Sequence, residues 1–214
     1  RNLNRILDRV GVRTIDKALF DLGWSGFQLA GGKGFSFQAD EPLLMTYGRP
    51  DAGNTAADIV NSMPEKELAD LIYTYGEERN SRAIARAIVA ARKSARILTT
   101  GQLAAIVAGA GTRGGRTNPA TKTFQALRIA VNDEFGALSE GLAAAYERLA
   151  PGGRLAVISF HSSEDRIVKQ FMKDRAAAGG VAVTRKPVAP GRAELLANRR
   201  ARSAKLRVIE KRIS

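Results

Sequence analysis

The sequence predicts an α/β protein, a largely parallel sheet with a block of helices inserted between two of its strands. Three observations lead there. Leu155 to Phe160 follow a Pro-Gly-Gly turn as an apolar, β-branched run too short for an ordinary helix. Ile15 to Phe20 form a second such run, closed by Asp21. Between the two, apolar residues recur at helical spacing, and a helix feeding a strand is the rhythm of βαβ units. Val157 and Ile158 are adjacent rather than alternating, so burial on both faces is expected for that strand, and Ile15 to Phe20 likewise reads as a buried strand.

Taken in order, residues 2–11 are helical in pattern, with Leu3, Ile6, Leu7 and Val10 on one side and Gly11 as the stop. After the strand ending at Asp21, the stretch DLGWSGFQLAGGKGFSF is too rich in glycine for regular structure. Ser62 and Glu65, with Pro64 between them, mark a helix start near residue 63 whose buried side is Leu68, Leu71, Ile72 and Tyr75. Gly76 interrupts, and a longer helix over about 77–95 sets Ile84, Ala87, Ile88 and Ala91 opposite a basic stripe of Arg79, Arg82, Arg86 and Lys93. Thr99 with Gln102 starts a short helix ending near Gly109. The loop GAGTRGGRTN carries Arg113 and Arg116 and lacks the Gly-Lys-Ser/Thr ending of a triphosphate-binding loop. Asn118 and Pro119 open an amphipathic helix with Phe124, Leu127, Val131 and Phe135 apolar, and Leu138, Leu142 and Leu149 carry the pattern to Pro151. Beyond the helix expected over 163–175, Val181–Thr184 and Lys205–Ile213 read as two strands, neighbouring and antiparallel at a sheet end. Between these lies a basic cluster of Arg199, Arg200, Arg202, Lys205 and Arg207. The resulting division is 1–48 and 119–214 for the sheet domain, with 49–118 as the inserted helical domain.

Composition narrows the function. Thirty-four Lys and Arg against 21 Asp and Glu give a net charge of +13, which points to a polyanionic partner, nucleic acid first. No segment joins a basic face to bulky apolar anchors, and no apolar run approaches the roughly 20 residues of a membrane helix. We therefore expect a soluble, cytoplasmic protein with no membrane partner. With no cysteine and one histidine, neither disulfides nor a Cys or His metal site is expected. The basic residues expected to face RNA are Arg79, Arg82, Arg86, Arg113, Arg116, Lys122 and Arg128, although basic stripes are commonly no more than solvated faces.

Polar residues crowd the end of the second strand: Ser159, His161, Ser162, Ser163, Glu164, Asp165 and Arg166. Open α/β sheets bind ligands beyond the carboxyl ends of their strands. Asp21, before a glycine loop, occupies the matching place on the first strand. A simpler role is open for each. Ser162 with Asp165 suits a helix cap, Glu164 and Asp165 favour a helix start, and His161 would equally serve as a brace at the strand end.

Six stretches carry a resemblance: DLGWSGFQL (21–29), KGFSF (33–37), TYGEER (74–79), ATKTFQALRI (120–129), LAPGGRLAVISFHSSEDRIVKQF (149–171) and ARSAKLRV (201–208). Together they span nearly the whole chain in order, and on them the chain resembles the RsmH (MraW) family of ribosomal RNA methyltransferases. The resemblance implies a class I, Rossmann-like methyltransferase sheet with an inserted helical domain for the substrate, and S-adenosyl-L-methionine as cofactor. It implies methylation of the exocyclic N4 of a cytidine in small-subunit ribosomal RNA, with that RNA or the ribosomal subunit as partner; a homodimer is left open. Asp21 and Gln28 align with positions that contact the cofactor, and Asp21, Ser159 and His161 are expected to border the reacting amine.

Departures from the family's pattern exist. Trp24 and Gly26 stand where Val and Ser are usual, Ala30 where Asp is, and Arg199 where proline is common. Leu44, Thr46 and Gly48 replace three charged residues in the run 43–48. Family members also begin about a hundred residues earlier, with a first strand and a glycine-rich cofactor loop. From this we expect the 214 residues alone to hold half a cofactor pocket, to be inactive, and to expose Ile15–Phe20 as an aggregation-prone sheet edge. A different class stays open beside the enzyme, namely a non-catalytic RNA-binding protein that keeps the fold without the cofactor loop.

Overall fold

A computed structural model describes residues 1–23, 31–48, 55–110, 118 and 120–212. The chain divides into two compact units, one of residues 1–23 with 135–214 and one of residues 24–134.

In the first unit, helix α1 (Leu3–Arg9) precedes strand β1 (Ile15–Asp21). Helix α7 (Glu134–Arg148) runs into β2 (Leu149–Ser159), followed by α8 (Ser162–Ala177), the two-residue β3 (Val181–Ala182), α9 (Arg192–Ala197), a 3₁₀ turn (Arg199–Ser203) and β4 (Lys205–Glu210). The sheet order is β1-β2-β4-β3. Strands β1 and β2 are parallel, whereas β4 is antiparallel to both its neighbours. The α/β class, the parallel pair and the antiparallel sheet end are thus as the sequence predicts.

Burial on the sheet is one-sided. Phe20 packs on Gly141 of α7. Leu155, Val157 and Ile209 join Leu138, Leu142, Val168 and Met172 in one core. The other face carries Leu19, which is 65% exposed, and the half-buried Ala156, Ile158, Leu206 and Val208. This corrects the expectation of strands buried on both faces. Adjacency of Val157 and Ile158 signals apolar character on each face, but alternation sends them to opposite sides, and among the described residues of this unit helices bury only one. Strand β1 lies at the end of the described sheet, as expected of an edge. Helix α1 is also less buried than its periodicity suggests, with Ile6 and Val10 exposed.

The second unit is helical: α2 (Ala56–Ser62), α3 (Glu65–Gly76), α4 (Ser81–Arg92), α5 (Thr100–Gly109) and α6 (Ala120–Asn132). Its core joins Leu68, Ile72, Ile84, Ile88, Leu103, Val107, Phe124 and Leu127, together with Leu43 and Met45 from the irregular segment before α2. Packing therefore groups 31–48 and α6 with the helices, and the divisions fall at 23/24 and 134/135, where the sequence suggests 48/49 and 118/119. Thr99 and Gln102 form the expected capping box, both halves present. Helix α2 is not anticipated by the sequence reading; Thr55 and Asp58 start it with a second capping box. Ser62 ends α2, donating to the Asp58 carbonyl, instead of starting α3. Glu77 and Asp133, at φ 50° and 45°, take the left-handed conformation that ends α3 and separates α6 from α7. Gly76 closes α3 directly against the Lys122 carbonyl of α6, where any Cβ would clash with backbone. Helices at so close an approach need a residue without a side chain.

Candidate active site

Parallel pairing sets Phe20 opposite Val157 and Asp21 opposite Ile158, and the Leu22 amide donates to the Ile158 carbonyl at 3.0 Å. Both strands end at the same edge of the sheet, so Asp21 and the turn at Phe160–His161 are neighbours. Gly23, at φ 135°, turns the chain away beside the Phe160 ring. The Asp21 carboxylate is exposed and meets no hydrogen-bond or ion-pair partner among the described residues. An acceptor left open at a strand tip suits a ligand that brings hydrogen-bond donors or positive charge. Gln28 lies outside the described residues.

His161 comes to this tip as the N-cap of α8, with extended backbone at φ −138° and ψ 164°. Its Nδ1 accepts from the Glu164 amide at 3.3 Å. Nε2 lies 3.0 Å from Glu164 Oε1, but outside hydrogen-bonding alignment. The Glu164 carboxylate reaches back to accept from the Phe160 amide at 2.9 Å and the His161 amide at 3.3 Å. Burial pushes this carboxyl up, but the His161 side chain and the two amides outweigh it and hold Glu164 below its ordinary value. The cap is therefore His161 with Glu164, one residue before the Ser162–Asp165 pair the sequence suggests. Ser162 is already the first residue of the helix. His161→Ala is expected to cost about 1 kcal/mol, the usual worth of an N-cap, and His161→Asn to restore it, measured by denaturant unfolding.

Ser159 does not share the Asp21 side. Alternation along β2 puts it with Leu155 and Val157 on the helix-covered face, 2% exposed, whereas Ile158 faces as Asp21 does. This is a correction: a side chain sealed under α8 has no access to an amine beside Asp21.

Asp165 is buried below the same helix start. It accepts from Arg207 through both oxygens, at 2.7 and 3.1 Å, and from Lys205 at 3.2 Å. Burial raises its pKa, but the two cations more than compensate and hold it below the ordinary carboxylate value. Arg207 and Lys205 come from β4, so this cluster ties α8 to the strand beside β2.

Of the residues expected to face RNA, Arg79, Arg82 and Arg86 are exposed, with Arg86 3.9 Å from Glu65. Lys122 is half exposed, donating to the Glu77 carbonyl at 3.0 Å and lying 3.8 Å from Glu78. Arg128 is turned inward: it is 7% exposed and donates from Nε and Nη2 to Glu134 at 2.9 and 3.0 Å. A guanidinium buried on a carboxylate offers nothing to a phosphate, which removes Arg128 from that set. Arg113 and Arg116 lie outside the described residues.

The run 43–48, which lacks the charges usual in the resemblance, is held by other means. Tyr47 donates from its hydroxyl to Glu134 at 2.6 Å, and its amide donates to Asn132. Asn132 in turn donates to the carbonyl of Met45, a residue at φ 57°. No sequence signal marked this network, because its partners lie more than 80 residues apart.

Comparison with known proteins bears on the same residues. The "Ribosomal RNA small subunit methyltransferase H" of Methylobacterium sp. (strain 4-46) is 52% identical over 230 residues, covering 98% of this chain and 68% of its own. The protein of that name from Deinococcus radiodurans is 52% identical over 214 residues, covering 99% and 67%. The one from Rhodospirillum centenum is 47% identical, covering 98% and 69%. The chain thus spans about two thirds of the length of these relatives. The model of the MraW methylase family matches residues 1–212. With a family match across both units and relatives this similar, the chain belongs to the MraW methylase family.

Proposed function

We propose that this protein methylates small-subunit ribosomal RNA, at the exocyclic N4 of a cytidine, with S-adenosylmethionine as the methyl donor. The observation that carries the reading is the pair of strand tips lying side by side, one ending in the unengaged Asp21 and the other in the capped turn at His161. Family membership and the names of the relatives support it.

The chemistry sets the demands on the residues. An exocyclic amine of cytosine is a poor nucleophile because its lone pair is shared with the ring, so alignment and acceptors for its hydrogens do most of the work. When bound, S-adenosylmethionine supplies an electrophilic methyl group on positively charged sulfur. Asp21 attracts that positive charge and accepts hydrogen bonds at the tip. His161 acts as a positioning residue: with Glu164 it fixes the Phe160–His161 turn against which the base is held. The target base leaves its stack to reach this end of the sheet, and the exposed Arg79, Arg82 and Arg86 of the helical unit contact phosphates of the RNA. The reaction takes place in the cytoplasm, where small subunits are assembled. No helix among the described residues is long and apolar enough to cross a membrane.

The test is direct. The whole gene product is incubated with methyl-labelled S-adenosylmethionine and small-subunit RNA, and the digested nucleosides are analysed by mass spectrometry. N4-methylcytidine is the expected product. Label on a different atom or base, or none from protein that binds the donor, refutes the assignment.

A further inference from the structure

The segment joining β3 to β4 is the most basic exposed stretch of the sheet unit. Residues 183–204 hold Arg185, Lys186, Arg192, Arg199, Arg200 and Arg202 against a single acid, Glu194, and all six basic residues are exposed. Three of them are fixed in place by the 3₁₀ turn Arg199–Ser203. Asn198 caps the turn, accepting from the Arg200 amide at 3.0 Å. Ala201 between them is buried and pins the turn to the unit, and the Ala204 amide closes it on the Ala201 carbonyl.

The strand that leaves the turn decides where these arginines stand. Lys205 opens β4 and pairs with Ser159, the last residue of β2. The turn therefore sits at the sheet end where β1 and β2 finish, beside Asp21 and His161. Arg202 is three residues from Lys205, at most about 11 Å along the chain. The neighbouring cations are already used: Lys205 and Arg207 point inward to Asp165. Arg199, Arg200 and Arg202 have no carboxylate within ion-pair distance among the described residues.

The turn fixes where the backbones of the three arginines stand, and no carboxylate among the described residues neutralises them. Guanidinium groups match phosphate oxygens in fork geometry, so such a cluster is suited to a phosphate backbone. We propose that Arg199, Arg200 and Arg202 form a phosphate clamp on the RNA strand beside the target base, at the reacting end of the sheet. The clamp rests on the RNA-methylating function proposed above and adds the surface that holds the strand there.

Binding of small-subunit RNA by the whole gene product, titrated over a range of salt, tests it. The triple variant R199Q/R200Q/R202Q is compared with R5Q/R9Q/R13Q, which removes the same charge from exposed sites at the opposite, amino-terminal end of β1. Loss of three phosphate contacts to single-stranded RNA lowers the slope of log affinity against log salt by about 2. We expect that fall, with at least about tenfold weaker binding at moderate salt, in the first triple only. R199K/R200K/R202K, which keeps the charge, retains most of the slope. Single Arg202→Gln, expected to lower the slope by about 0.7, carries the test should the triple not fold. Equal losses in both triples would reduce the effect to net charge and overturn the clamp. So would wild-type RNA binding by the first triple, including the case where only affinity for anionic vesicles has fallen. Methylation by the wild type, assayed alongside, reports separately on the function: its absence defeats that reading, whereas the slopes judge the clamp.

Discussion

Asp165→Ala is expected to destabilise the sheet unit by about 3–5 kcal/mol, the range for breaking a buried ion pair by removing one partner. The cost comes from what is left behind. Arg207 is buried and would lose both of its Asp165 hydrogen bonds, with a full charge remaining in a site that water barely reaches. Lys205 contributes less, since 41% of its side chain is exposed and solvent screens the contact. The same cluster predicts the pH response. Asp165 and Glu164 both have folded-state pKa values below their ordinary ones. Their stabilisation is therefore fully present above the unfolded values near 4 and is lost as pH falls through the folded values. Urea midpoints of the wild type are expected to hold steady from neutral pH to about 5 and to drop below about 4, and the drop should shrink in Asp165→Ala. A midpoint insensitive to the substitution would mean that the pair only offsets its own desolvation.

Asp21→Asn is expected to leave stability nearly unchanged and to lower kcat/KM for methyl transfer about 10²–10³-fold, as removal of one positioned polar group from a reacting site does. The substitution keeps size and removes charge. Because Asp21 is exposed and makes no described contact, an effect on turnover without one on melting temperature separates chemistry from folding. Unaltered kcat/KM would take Asp21 out of the site.

Much of this arrangement is legible before any coordinates. Short apolar runs ending in polar residues give the two strands and their shared edge, and a Thr-x-x-Gln pattern gives the start of α5, because these signals are local. The misreadings share a cause. Ser162 looks like the cap because serine is a common N-cap, yet histidine with Glu164 occupies that place one residue earlier. Val157 and Ile158 announce two apolar faces, but how many are covered depends on helices elsewhere in the chain. The direction of Ser159 follows from strand phase, which one residue of slip reverses. Arg128 reads as surface charge until Glu134 is found folded back onto it, and only the left-handed Asp133 brings Glu134 there.

The discontinuity of the sheet unit has a consequence for synthesis. Its two parts are separated by the whole of residues 24–134, a contiguous segment with its own core that is free to collapse as soon as it leaves the ribosome. Strand β2 has its β4 neighbour only after Glu210 is made, 76 residues beyond Glu134 (210 minus 134). At about 5–20 residues per second that is a delay of roughly 4–15 s. For that interval the nascent polypeptide carries an incomplete sheet, β1 unpaired until β2 is made and β2 then without β4, so chaperone demand falls on the outer pieces of the chain and not on its middle.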